Sequence, residues 1–198
     1  MKRMLVYIDE EAVDDSIKLL EVGRLLYGDQ GFRSYALAAG GRIGEAGSRF
    51  DCVFRASHGP VPNYDSATLA RCIETLHQTY GFDAIVVPGT HGGRMIAPRA
   101  AMRLRAGLVA DVTGVGLNGD DVLMVRPAFS GRMLATIVCR GGGPVMMSVR
   151  PKVFTYLEPA LKTAEFVEVD VRDARLPGVR LIERREQAEA RDIRESKV

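Results

Sequence analysis

A three-layer α/β fold, with a mostly parallel sheet and antiparallel additions, is the class this sequence predicts. Three observations carry it. Short β-branched apolar runs alternate repeatedly with segments of helical spacing from Met4 to Val115. That alternation calls for right-handed crossovers with helices packed on both faces of a parallel sheet. The run Ala84 to Val87 is apolar without a polar alternate, as a central strand covered on both faces must be. Beyond Val112 the texture changes to strand-like runs separated by Asn118-Gly119-Asp120, Ser130-Gly131 and Gly141-Gly142-Gly143-Pro144, which are hairpin signals.

Met4 to Ile8 reads as the first strand, and a helix with Ile17, Leu20, Val22 and Leu26 on its apolar face follows from about Val13 to Tyr27. Between them lie Asp9, Glu10, Glu11, Asp14 and Asp15. Their oxygens would suit a hard cation, but carboxylates in a helix's first turn also offset its positive end, so a solvated first turn and no metal site are expected. Phe32 to Ala38 is the second strand, a short helix follows around Ile43 to Gly47, and Asp51 to Arg55 is the third strand. Asp65 or Ser66 caps the next helix, whose stripe of Leu69, Cys72, Ile73, Leu76 and Tyr80 ends at Gly81.

Ala84 to Val115 then reads as strand, glycine-rich turn, helix and strand. Gly89, Gly92 and Gly93 give the backbone freedom to reverse onto the sheet. Pro98 lies within the helical stretch Gly92 to Gly107, which predicts a helix starting near Ala97 or bent there. The runs Val122 to Arg126, Met133 to Arg140 and Val145 to Val149 are expected to bring antiparallel pairings into the core, making a mixed sheet. Phe166 to Val171 is a further strand, and Val179 to Ile182 a last edge strand. Residues 1–182 form one domain on this reading, and 183–198, rich in charge, form a linker.

A chain of 198 residues suits a single large domain with a tail. Its 27 Lys and Arg against 25 Asp and Glu leave a net charge of +2 with no basic block, so nucleic acid is not an expected partner. The apolar residues before Asp9 are too few for a signal-peptide core, and no run reaches membrane-spanning length. A cytoplasmic protein with no membrane insertion is the expectation. Cys52, Cys72 and Cys139 lack paired metal or redox spacing and read as reduced, mostly buried thiols.

The turn Gly89-Thr90-His91-Gly92-Gly93-Arg94 sits at a strand's carboxyl end, where open α/β folds place ligands. It is neither GxGxxG nor a P-loop. Adenine-nucleotide domains of the universal stress protein type resemble this layout and use Gly-x2-Gly-x9-Gly-(Ser/Thr); Gly89 and Gly92 match the first half, while the second lands on Met102-Arg103. No serine elbow, carboxylate pair or cysteine nucleophile stands beside His91, so packing or polar capping is its expected task and no catalytic residue is assigned. Arg126 and Arg150 each precede a proline at a predicted strand end. They could pair with an anionic cofactor or a partner's carboxylate, or simply cover strand ends in ordinary salt bridges.

The stretch from Val86 to Val115, followed by Val125 to Phe154, resembles the amino-terminal domain of the electron transfer flavoprotein alpha subunit. Gly89, Gly93, Arg94, Pro98, Arg99, Asp111, Val112, Arg126, Pro127, Gly131, Met146, Val149, Arg150, Pro151 and Phe154 fall in that family's order. The resemblance implies a Rossmann-like domain of the adenine nucleotide alpha hydrolase-like kind, without catalysis of its own, paired with a beta subunit in a heterodimer. It also implies FAD on a carboxyl-terminal domain that this chain lacks, so none bound by this chain alone, with residues 183–198 leading toward that domain. Electrons would pass from flavin dehydrogenases to an acceptor through the complete complex. The alternative is a stand-alone nucleotide- or flavin-binding module using the Gly89 to Arg94 turn.

Overall fold

The computed structural model describes residues 1–28, 31–41, 43–156, 161, 163–172, 174–175 and 182–183. Strands β1 (Lys2–Tyr7), β2 (Phe32–Ala38), β3 (Cys52–Ser57), β4 (Ala84–Pro88), β5 (Leu108–Val112), β9 (Val145–Val149) and β10 (Glu165–Asp170) form a seven-stranded sheet in the order β10-β3-β2-β1-β4-β9-β5. Every pairing in it is parallel. Strands β6 (Gly114–Asn118), β7 (Asp121–Ala128) and β8 (Met133–Ile137) form a separate antiparallel sheet in the order β6-β7-β8.

The antiparallel addition is therefore a second sheet, and the mixed core sheet expected from the sequence is corrected. Val145 to Val149 is the run that moves. It lies between β4 and β5, with Met146, Met147, Ser148 and Val149 all buried. A strand covered on both faces has no solvated side to alternate, which is the signature of a parallel central strand.

Two apolar layers enclose the large sheet. Leu69, Cys72, Ile73 and Leu76 of α3 (Ser66–Tyr80) and Ile96, Ala97 and Ala100 of α4 (His91–Leu104) pack on one face against Leu5, Tyr7, Leu37 and Ile85. On the other face Leu20, Val22 and Leu26 of α2 (Leu20–Tyr27) join Met124 of β7 over Val6, Ala36 and Val86. That layer is thus built of both helix and sheet.

The single helix expected from Val13 to Tyr27 is two, α1 (Val13–Ile17) and α2. Ser16 Oγ donates to Ala12 O (2.9 Å) and accepts from Asp9 N–H (3.1 Å). Leu19 N–H and Glu21 N–H then reach back only to Ser16 O and Lys18 O, the tighter 3-10 pattern. α3 follows its sequence signals: the Asp65 carboxylate accepts from Thr68 N–H (3.2 Å), and Gly81 closes the helix at φ 62°. α4 starts well before Pro98, which sits inside it at an exposed position. The edge-strand expectation at Val179 to Ile182 falls largely on residues 179–181, outside the described residues, as does the linker expectation from residue 184 on.

Candidate functional site

Parallel strands present their carboxyl ends on one edge of the sheet, and here that edge gathers Asp9 after β1, the Gly89 to Arg94 turn after β4, Arg150 after β9 and Asp111 in β5. Thr90 is the N-cap of α4, its Oγ1 accepting from Gly93 N–H (3.1 Å). The same hydroxyl donates to Asp9 Oδ2. Asp9 Oδ1 accepts from Asn63 Nδ2–H (2.6 Å) and from Glu11 N–H (3.0 Å), while the Tyr7 hydroxyl donates to Asn63 Oδ1. Burial, aided by the charge of Asp9, pushes the Tyr7 phenol well above its ordinary pKa, so it stays a donor.

Asp9 is 1% exposed, which corrects the solvated role expected for it as one of five acidic residues. The difference is one of position. Asp9 closes β1, where the strand's end is still under α4, and the buried oxygens must be hydrogen-bonded.

The glycines of the turn answer to close packing rather than to left-handed backbone; the positive-φ glycines lie elsewhere. A Cβ on Gly93 would collide with Pro88 O and stand 3.0 Å from Val87 Cγ1. One on Gly89 would stand 2.7 Å from Val149 O, the atom that accepts Gly89 N–H at 2.6 Å. One on Gly92 would lie 3.3 Å from Asp9 Oδ2. The chain's own carboxylate therefore occupies the mouth of α4, where a phosphate would need bare amides and an opposite field.

A cleft of about 1010 Å³ runs alongside. Glu10, Glu11, Asp14 and Asp15 line it together with Lys18, His91, Arg94 and Lys152, and Lys18 pairs with Asp15 (3.4 Å). His91 is the exposed first residue of α4 and takes no part in capping, which falls to Thr90; the packing or capping role expected for it is corrected accordingly.

Arg94 Nε donates to Gly89 O (3.0 Å), locking the turn. Arg150 donates from Nε and Nη2 to the two oxygens of Asp111 (3.0 and 2.6 Å), a bidentate fork. Asp111 holds φ 64° in a β-bulge between Val109 and Val112, which turns its side chain toward the arginine. Arg150's hydrogen bonds hold the Asp111 carboxyl below the usual carboxylate range against opposing burial, and the charges of Arg94 and Arg126 add to that. Arg126 sits on β7 opposite Ala135, on the side of the strand that carries Met124 into the core. Sequence reasoning named these arginines but missed Asp111 as the partner of Arg150; a charged residue inside an apolar strand was the available signal. Among the described residues no group of His, Cys, Asp or Glu is placed to hold a metal, and no helix is long and apolar enough to cross a membrane.

The antiparallel sheet has two unlike faces. Val115, Val122, Met124 and Ile137 point into the core. The opposite face carries Leu123, Val125 and Pro127, with Gly116, Gly114 and Leu134 as their cross-strand partners, and none of these joins either core cluster. Leu134 is 68% exposed and Met133 59%, beside Phe129 at the hairpin turn.

The fold and this site define a Rossmann-like α/β domain whose sheet edge is tied by its own side chains beside an open cleft, and which carries an antiparallel sheet with exposed apolar residues at its hairpin end. The chain belongs to the electron transfer flavoprotein domain family, whose model matches residues 8–174. It is 38% identical over 104 residues to the electron transfer flavoprotein subunit alpha of Thermoanaerobacterium thermosaccharolyticum, covering 52% of this chain and 32% of that protein. With the protein FixB of Clostridium saccharobutylicum it shares 31% identity over 165 residues, 79% of this chain and 49% of the relative. With the lactate dehydrogenase (NAD(+),ferredoxin) subunit LctC of Acetobacterium woodii it shares 32% over 168 residues, 81% and 40%. The chain thus spans 32% to 49% of these relatives' lengths, and the resemblance to alpha subunits read from the sequence is borne out.

Proposed function

We propose that this chain is the scaffold and subunit-docking domain of an electron transfer flavoprotein alpha subunit. The carrying observation is the hairpin end of the antiparallel sheet: Phe129, Met133 and Leu134 are exposed there, and Leu134 shares the sheet's outer face with the half-buried Leu123, Val125 and Pro127. Contiguous exposed apolar surface marks an interaction site. The partner is a beta-type electron transfer flavoprotein subunit, and the region from Val122 to Phe154 supplies the contact. The relatives are named as subunits, which supports an assembly of more than one chain.

In the complete heterodimer FAD is carried outside this domain, and electrons pass from flavin dehydrogenases to an acceptor. This domain's share is geometric: it fixes the spacing of the flavin-bearing parts. The alternative, a nucleotide- or flavin-binding module at Gly89 to Arg94, is disfavoured by the Asp9 carboxylate bound to Thr90 at the mouth of α4.

Mixing the chain with the beta-type subunit of the same organism and following sedimentation tests the proposal. Association at micromolar concentration is expected. No complex at that concentration, or a preparation that is yellow or retains AMP or ATP by native mass spectrometry, would overturn it.

A further inference from the structure

An open sheet ends in edge strands whose outer N–H and C=O groups lack a ladder partner, and folds blunt such edges with charge, bulges or a covering element. Strand β10 carries Glu165, Glu168 and Asp170, β5 is broken by the bulge at Asp111, and β6 holds Gly114 and Gly116 and runs beside α2. Strand β8, Met133-Leu134-Ala135-Thr136-Ile137, has none of these devices, and among the described residues it pairs with β7 alone. Which of its backbone groups face outward follows from the ladder. Val125 O accepts from Thr113 N–H (2.8 Å), so Val125 turns its backbone groups toward β6. Alternation then turns those of Met124, Arg126 and Ala128 toward β8, where they face Ile137, Ala135 and Met133. The N–H and C=O of Leu134 and Thr136 therefore point away from the sheet, and both residues are exposed.

We propose that β8 is a self-pairing edge: a second copy of this chain adds its own β8 antiparallel, joining the two three-stranded sheets into one about a twofold axis at Ala135. The inference goes beyond the scaffold function, because it concerns the chain by itself. Backbone donors and acceptors along an uncharged edge call for a strand, and β8 is a strand that matches itself. With Ala135 on the axis, Leu134 of each copy stands opposite Thr136 of the other. Those residues exchange both of their N–H···O bonds, so every outward group within β8 is used. Ala135 meets its own copy at the non-hydrogen-bonded position, where side chains approach most closely and a methyl group fits. Met133 opposes Ile137 on the inner face. The nearest charges, Arg132 and Arg140, fall opposite Val138 and Ser130, so no like charges meet. An axis at Leu134 or Thr136 instead would carry one outward residue past the end of the opposing strand.

Sedimentation equilibrium of the chain alone, at concentrations up to about 100 µM, measures the pairing, which a contact of this small size makes weak and concentration-dependent. A monomer–dimer equilibrium is expected. Thr136→Pro removes an outward N–H and leaves the bonds to β7 in place, while Leu134→Lys sets two ammonium groups diagonally across the axis on the exposed face. Each should weaken dimerisation by roughly tenfold or more. If Thr136→Pro does not fold, Leu134→Lys decides. Ala135→Cys reads the register: under mild oxidation it should form a disulfide-linked dimer far more readily than the wild-type chain, whose Cys52 and Cys72 are buried and whose Cys139 is half-buried. Thr136→Cys, opposite Leu134, should not. A wild-type chain that stays monomeric at the highest concentration refutes the proposal. So does a dimer that Leu134→Lys leaves unchanged, or a Thr136→Cys chain that cross-links as fast as Ala135→Cys. Every arm is read without another subunit, so failure here leaves the scaffold function standing on its own test.

Discussion

Replacing Gly93 by alanine should destabilise the fold, although alanine is the better helix former by about 1 kcal/mol. The new Cβ would collide with Pro88 O, the last carbonyl of β4, and approach Val87 Cγ1 to 3.0 Å and Pro88 C to 3.1 Å, all inside the 3.4 Å of ordinary contact. Two of the obstructing atoms are backbone of a central strand, so relief requires α4 to lift from the sheet. Overpacking of this kind costs about 1–3 kcal/mol and occasionally more. With the propensity gain subtracted from the upper end, a net loss of about 2 kcal/mol remains, or roughly 4–8 °C in melting temperature for a chain of this size. Gly89→Ala should follow the same sign, since its Cβ would stand 2.7 Å from Val149 O. Gly116→Ala, with nothing within 4 Å, is the control. Calorimetric melting of the three variants measures the series. A Gly93→Ala protein that melts within about 1 °C of the Gly116→Ala control would show that the turn's glycines are not required by packing.

Asp9→Ala strands the donors of Thr90 and Asn63 in a buried place and should cost about 3 kcal/mol in urea unfolding; Asp9→Asn should cost less. Asp111 titrates below the usual carboxylate range, so its contribution to stability is present above the unfolded pKa and lost as pH falls through the lower folded value. Arg150→Lys, which loses the bidentate fork, should move that acid limb toward higher pH in an NMR titration of the Asp111 carboxyl. Burial pushes the Cys52 and Cys72 thiols up to about 11. Their folded values lie above the unfolded ones, so the stability they add is complete below about 9 and is lost as pH rises toward 11. Both should resist a thiol reagent at pH 8 until the protein unfolds, and rapid native labelling at either position would contradict the packing.

Most of the large sheet was legible because each parallel strand is a short apolar run and each helix carries its own stop signal, as Asp65 and Gly81 do for α3. Strand β9 misled because a run that follows glycine turns reads as a hairpin partner; only its lack of alternation, Met146-Met147-Ser148-Val149 buried throughout, placed it at the centre. Asp9 was hidden among four acidic neighbours. Composition cannot distinguish a carboxylate that ends a strand under a helix from one in water a residue later, since the difference is made by Asn63 and Thr90, far away in sequence. Ser130-Gly131 announced a turn correctly. That the left-handed positions would be Phe129 and Ser130 depended on register, which the strands' pairing sets and the local sequence contradicts.

Because β7 is read by its neighbours on alternate residues, it answers to two selective pressures at once. Met124 has no freedom to vary without opening a hole beneath the large sheet, whereas Leu123 and Val125, one step away on either side, make no contribution to either core cluster. A surface arranged this way can change one residue at a time while the fold beneath it stays constant.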